Sequence, residues 1–385
     1  MNLIHGNIHT MENGVIQDGY LITRGDTIIE VGPMKNLKQI EGETIDLLGR
    51  DVYPGFIDAH THLGMFEDGL CFEGDDGNEE TDPVTPQLRA LDAVNPMDRC
   101  FGEALLAGVT TVVTGPGSAN AVSGQLMAVK TAGKRIDRMV VKAPAAMKFA
   151  LGENPKSVYH DKSQSPMTRM ATAALVREAL QKAQRYLTDK QLSEENSEEY
   201  DLPEYDAKCE ALLPLLKGEL VAHFHAHRAD DIFTAIRLSK EFHLRYVIVH
   251  GTEGHLIAEE LKEEGCPVLS GPLLCDRSKP ELRELTPRTP GILSEAGVPV
   301  AIVTDHPVIP IQYLPLCAGL AVREGMAHEK ALEAITITPA RICGIDNLVG
   351  SLMPGKQADF SVFSCDPLSL FAKPDMVFCS GKQVK

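Results

Sequence analysis

Pro54-Gly55-Phe56-Ile57-Asp58-Ala59-His60-Thr61-His62 is the stretch from which the rest of this chain can be read. An apolar run ends in two histidines spaced two apart, the side-chain period of a β-strand. Both imidazoles therefore point to one side, about 6.6 Å apart, close enough to share a metal. Pro54-Gly55 makes a turn ahead of the run and puts the histidines at the C-terminal end of the strand. In parallel α/β barrels that end carries the active site. A bare pair of this kind is equally well two solvated strand-end imidazoles, so the decision falls to the remaining sequence.

Working outward, apolar strand patterns alternate with helical ones. Strands are expected at Val52–His60, Thr110–Thr114, Met139–Phe149, Leu220–His227, Tyr246–His250, Pro267–Ser270 and Val298–Thr304, with helices such as Asp230–Phe242 and Glu253–Glu264 between them. Repeated βα units over residues 51–350 predict a (β/α)8 TIM-type barrel. Seven strands can be counted. The eighth is expected within residues 150–218, although these read as helix over Met167–Asp189 and Glu204–Lys217, and a distorted barrel is the alternative. Short strands with turn chemistry fill residues 1–50 and 351–385, which predicts a small β-sandwich domain built from both termini. The acidic stretch 67–83 after the first barrel strand reads as a solvated loop that could also serve as a lid or an oligomer contact.

The formal net charge of −17 argues against nucleic acid or an anionic membrane surface as a partner and leaves a small-molecule substrate. No basic segment leads into an apolar core at the N-terminus, and no apolar run approaches the ~20 residues that span a bilayer. Nine scattered cysteines, never in a CxxC pair, fit reduced thiols in a cytoplasmic enzyme. Homo-oligomer formation is left open.

Four further features sit where strand ends are expected. In Val221-Ala222-His223-Phe224-His225-Ala226-His227-Arg228, the three histidines share a face, but His223 and His227 lie about 13 Å apart and cannot all bind one metal pair. His225 is the ligand candidate, His227 a substrate or supporting residue, and His223 interior. Tyr246–His250 and Val300–Asp305 each deliver a polar group at the end of an apolar strand. Lys148 and Glu153, on or after the third strand, are candidates for a ligand shared by two metals. Singly each feature is as readily structural; together, four histidines and an aspartate at four strand ends point to a metal site. Arg228, one residue beyond the histidine strand, is a candidate for binding a substrate carboxylate or, equally, a partner of Asp230 or Asp231.

The order HxH, His, His, Asp resembles the amidohydrolase superfamily of metal-dependent hydrolases, closest to the imidazolonepropionase-related members. The resemblance includes Gly108-Val109-Thr110-Thr111, Ile337-Thr338-Pro339-Ala340-Arg341, Gly350–Asp359 and the split β-domain. It implies metal ligands at His60, His62, His225 and His250, with Asp305 as ligand and proton carrier and His250 beside it as a catalytic residue. It further implies one or two divalent metals, Zn²⁺ first, with Mn²⁺ or Fe²⁺ as alternatives. No clear fourth strand presents the lysine that is carboxylated in hydantoinases and Xaa-Pro peptidases of this superfamily; Glu153 is the candidate substitute. The expected reaction is hydrolysis of an amide or cyclic amide C–N bond. Deamination of a ring amidine is the alternative, kept open by Glu253 three residues after His250, and a non-catalytic scaffold is the third reading.

Overall fold

A computed structural model of the chain describes residues 1–38, 40–68 and 71–385. The N-terminal block supplies β1 (Asn2–His9), β2 (Val15–Arg24), β3 (Thr27–Pro33), β4 (Thr44–Asp46) and β5 (Asp51–Pro54). The second sheet follows: β6 (Phe56–Thr61), β7 (Val109–Thr114), β8 (Val122–Lys130), β9 (Val140–Ala150), β10 (Val221–Ala226), β11 (Arg245–His250), β12 (Val268–Ser270) and β13 (Val300–Ile302). The C-terminus returns with β14 (Phe360–Phe363), β15 (Met376–Cys379) and β16 (Lys382–Gln383).

The two ends do build one structure. β14 pairs antiparallel with β5, β5 lies parallel to β1, and the sheet runs β16-β15-β14-β5-β1-β2-β3 with β4 on β1. In place of two facing sheets this is one hydrogen-bonded sheet, with its own core around Leu3, Leu21, Val52, Phe360 and Phe378. The single strand expected over Val52–His60 is divided at Gly55. A Cβ there would run into the Thr110 side chain, so only glycine lets the chain leave β5 and enter β6 at this spacing.

The second sheet is an eight-stranded, nearly closed barrel in the order β6 to β13. The strand missing from the sequence reading is β8. It lies at Val122–Lys130 and pairs antiparallel with both β7 and β9. Residues 150–218 hold helices instead: α1 (Glu153–Asp161), α2 (Arg169–Glu195) and α3 (Ala207–Leu216). The barrel is therefore mixed, because hairpin-like connections replace helical crossovers between β7 and β9. From β9 to β13 all pairings are parallel.

Period-two alternation sorts the side chains. On β10, Ala222, Phe224 and Ala226 join the apolar layer beneath the helices, while Val221 faces the interior shared with Val247, Val249 and Leu269. His223 and His225 alternate with the outward set and so point inward. The acidic loop is tied down by Lys162 to Glu80 at 2.7 Å and Lys208 to Asp82 at 2.5 Å. Gly69 and Leu70, within that loop, lie outside the described residues.

Candidate metal centre

The C-terminal ends of the barrel strands bring two groups of donors together. His60, His62 and Asp305 each offer an atom within 4.8 Å of the others, and His225, His227 and His250 do the same. The groups adjoin: the His60 and His250 ring centres are 5.6 Å apart, and those of His225 and His250 4.5 Å. Asp305 Oδ1 lies 3.5 Å from His60 Nε2 and 3.4 Å from His62 Nε2.

Outer partners hold four of the rings. His62 Nδ1 donates to the Gly115 carbonyl and His250 Nδ1 to the Gly271 carbonyl, each at 2.7 Å. A carbonyl only accepts, so in both rings the proton sits on Nδ1 and Nε2 keeps its lone pair. His225 Nδ1 meets Ser118 Oγ at 2.9 Å, and His227 Nδ1 meets Thr252 Oγ1 at 2.7 Å. His225 Nε2 is buried without a hydrogen-bond partner. Fixed rings with free inward nitrogens are what a divalent metal needs, and the all-N/O donor set suits zinc, manganese or iron.

Electrostatics agree. Burial pushes His60, His225 and His227 well below the ordinary imidazole value and His250 down to about 4, so these rings are neutral at pH 7, the form in which an imidazole can bind a metal. Burial alone would raise the Asp305 carboxyl, but His250, His62 and the Lys148 ammonium outweigh it and hold Asp305 below its usual range. His250 and Asp305 also have positive φ, 75° and 56°. For residues other than glycine these are sparsely populated conformations, of the kind that cluster at functional sites.

The remaining sequence candidates divide. Lys148 lies on β9, the fourth barrel strand, fully buried, with Nζ 3.0 Å from His60 Nε2. A fourth strand does therefore present a lysine to the site; the unrecognised β8 hid the count. Glu153 belongs to neither donor group: it opens α1, where its backbone N–H donates to Glu281 at 3.0 Å. His227, expected to bind substrate, lies within the second donor group. His223 is interior, beside Lys148 in register, with neither ring nitrogen hydrogen-bonded. Arg228 forms a two-pronged pair with Asp230 at 2.9 and 3.0 Å and does not line the cavity, the structural alternative of its two readings. Glu253 faces away from the cavity: its Oε2 accepts from the Ala229 backbone N–H at 2.9 Å, at the start of the helix Ala229–Glu241.

A cavity of about 370 Å³ opens over the donors, lined by His62, His225, His227 and Asp305 below and by Phe66, Pro272, Leu282 and Val308 at the sides. Sequence reasoning missed Lys279. Among the described residues it is the only lysine or arginine lining this cavity, with Nζ 2.6 Å from Asn154 Oδ1 and 2.7 Å from the buried Glu281. No spacing signal marks it, since it comes from an irregular loop.

The model of the Amidohydrolase family matches residues 52–384. The chain is 28% identical to amidohydrolase tasK of Hapsidospora irregularis over 93% of its own length but only 39% of that protein, so it spans well under half of this relative. It is 26% identical to imidazolonepropionase of Geobacillus kaustophilus, covering 91% of this chain and 85% of that one. The crystal structure of an amidohydrolase from Thermotoga maritima superposes with a TM-score of 0.95 at 40% identity, over 100% of this chain and 99% of that chain.

Proposed function

We propose, for a chain that belongs to the Amidohydrolase family, that it hydrolyses an amide or cyclic amide C–N bond in the cavity above the two donor groups. The observation that carries this reading is the pair of three-residue donor groups meeting beneath one cavity, with Nδ1 of His62, His225, His227 and His250 held by outer partners. Zinc, or manganese or iron in its place, would be held by His60, His62 and Asp305 and by His225, His227 and His250. A divalent metal there lowers the pKa of water and polarises a carbonyl.

The chain's own groups do the rest. Asp305, acceptor-only when ionised, takes the proton of the attacking water on a carboxylate oxygen and passes it to the departing nitrogen. Phe66, Pro272, Leu282 and Val308 limit bulk water around the bond being cut. Lys279, which lines the cavity beside its partner Glu281, is the cation we assign to an acidic end of the substrate. Lys148 stands where hydantoinases of the superfamily carry a carboxylated lysine. Reaction of its neutral amine with CO₂, forming an N–C bond and releasing a proton, would turn a buried cation into an anionic bridge between the two groups.

Hydrolysis is preferred to deamination because Glu253, the acid/base that deamination would need, faces a helix rather than the cavity. The test is elemental analysis combined with a screen of cyclic amides and N-acyl amino acids. Stoichiometric metal with a new carboxylate in the product is expected. Ammonia from a ring amidine, with no new carboxylate, would assign a deaminase; no metal and no activation on reconstitution would refute both.

A further inference from the structure

The barrel sheet starts at β6 and ends at β13, and no ladder joins these two strands. That seam is where the first donor group is assembled, with His60 and His62 from one side and Asp305 from the other. At its lower end the backbone of 334–335 fills the gap: Ile57 N–H donates to the Ile335 carbonyl at 2.8 Å and Ile302 N–H to the Ala334 carbonyl at 2.9 Å. At its upper end a side chain does the work. Asp58 Oδ2 accepts from Thr304 N–H at 3.0 Å and from Thr304 Oγ1 at 2.6 Å, while Oδ1 accepts from His60 N–H at 3.2 Å. Thr304 Oγ1 in turn accepts from His306 N–H at 3.2 Å, and the His306 carbonyl accepts from His62 N–H at 2.8 Å.

Asp58 and Thr304 are fully buried, and Thr304 and His306, joined by that hydrogen bond, flank Asp305 in its positive-φ conformation. We propose that Asp58 is a positioning residue: by clamping Thr304 and the His60 backbone across the open seam, it sets the spacing of His60, His62 and Asp305 that makes the first donor group. Three donors converge on one carboxylate. An asparagine would bring an NH₂ to one of its oxygen positions and set a donor against a donor. A glutamate would lengthen the reach of a side chain that is fully buried.

This rests on the metal-centre reading, and the experiment separates the two. Protein of residues 1–385 is stripped with a chelator, and its Zn²⁺ affinities are measured by chelator competition for the wild type, Asp58→Asn, Thr304→Val, His62→Ala and the Asp58→Asn/His62→Ala pair. Asp58→Asn is expected to weaken, by about 10–100-fold, the same zinc that His62→Ala removes, and to leave the other unchanged. Thr304→Val, which keeps the Thr304 N–H bond, is expected to weaken it about tenfold. The double variant should bind no worse than His62→Ala alone, because the two losses act on one site. In steady state Asp58→Asn should lower kcat with KM unchanged. Unchanged zinc affinities in Asp58→Asn, or equal losses at both zincs, would overturn the clamp. Should Asp58→Asn not fold, unchanged affinity in Thr304→Val does the same. A wild type that takes up no zinc refutes the metal centre itself.

Discussion

Lys148→Met should make the metal-free protein more stable while removing its activity. Lys148 is completely buried, and its ammonium faces His60 at 3.0 Å, with Asp305 as the countercharge acting on it. Burial pushes its pKa from 10.5 down to about 8. Keeping the proton on at pH 7 therefore costs the folded state about 3 kcal/mol relative to the unfolded chain. Methionine fills similar length without a charge, and losing the bond to His60 removes only about 1 kcal/mol. The net gain is roughly 2 kcal/mol, which for a chain of this size is about 2–3 °C in Tm. The sign with pH follows from the depressed pKa. Between about 8 and 10.5 the unfolded chain binds the proton and the folded one does not, so wild-type stability rises with pH there. The advantage of Lys148→Met is therefore full below pH 8 and gone by about 10.5. Calorimetry of chelator-stripped proteins at pH 7 and pH 10 measures both points. A variant less stable than wild type at pH 7, or a gain that does not shrink at pH 10, would refute the reasoning.

Other outcomes are equally concrete. Asp305→Asn should retain most bound metal yet lose several orders of magnitude in kcat, whereas His62→Ala should lose metal by elemental analysis; near-full activity in Asp305→Asn would remove it from the proton path. Lys279→Met should raise KM for acidic substrates more than for neutral ones, while Arg228→Met should leave both unchanged because Arg228 is committed to Asp230. Buried His223, His250 and His306 are pushed down to about 3, 4 and 4. As pH falls below about 6.5 the unfolded chain takes up protons that these rings refuse, so metal-free protein should lose on the order of 1 kcal/mol per pH unit for each ring, seen as a falling Tm. Lys130→Met removes the ammonium paired with the buried Asp359 carboxylate and should cost about 3–5 kcal/mol in urea unfolding, since this pair joins the barrel to the terminal sheet.

What could be read from the sequence was whatever repeats with a strand's period. His60 and His62, His225, His250 and Asp305 all end apolar runs, and alternation alone puts them on the inner face. The barrel followed from the same alternation, but Val122–Lys130 escaped it: Val122-Ser123-Gly124-Gln125 has no clean period and is buried mainly because neighbours cover both faces. Its loss displaced the strand count by one and hid Lys148 as a fourth-strand residue. Arg228 stays between two readings in the sequence for a different reason. Its position one residue past β10 says nothing about direction, and Asp230, two residues on, offers a carboxylate at shorter reach than the cavity. Lys279 and Glu281 come from a loop whose path depends on contacts distant in sequence, so no local pattern could assign them.

The two donor groups are held by different means, and that difference bears on which is more easily lost. Every ring of the second group has its Nδ1 tied, to Ser118, Thr252 and the Gly271 carbonyl. In the first group His62 is tied to Gly115, but His60 Nδ1 is buried without a partner and Asp305 lies beyond the end of β13 across an unpaired seam. A ligand without a fixed partner must be ordered when the metal arrives, and that ordering subtracts from affinity. The second group is the preorganised one, and it should fill first when zinc is titrated into the stripped protein.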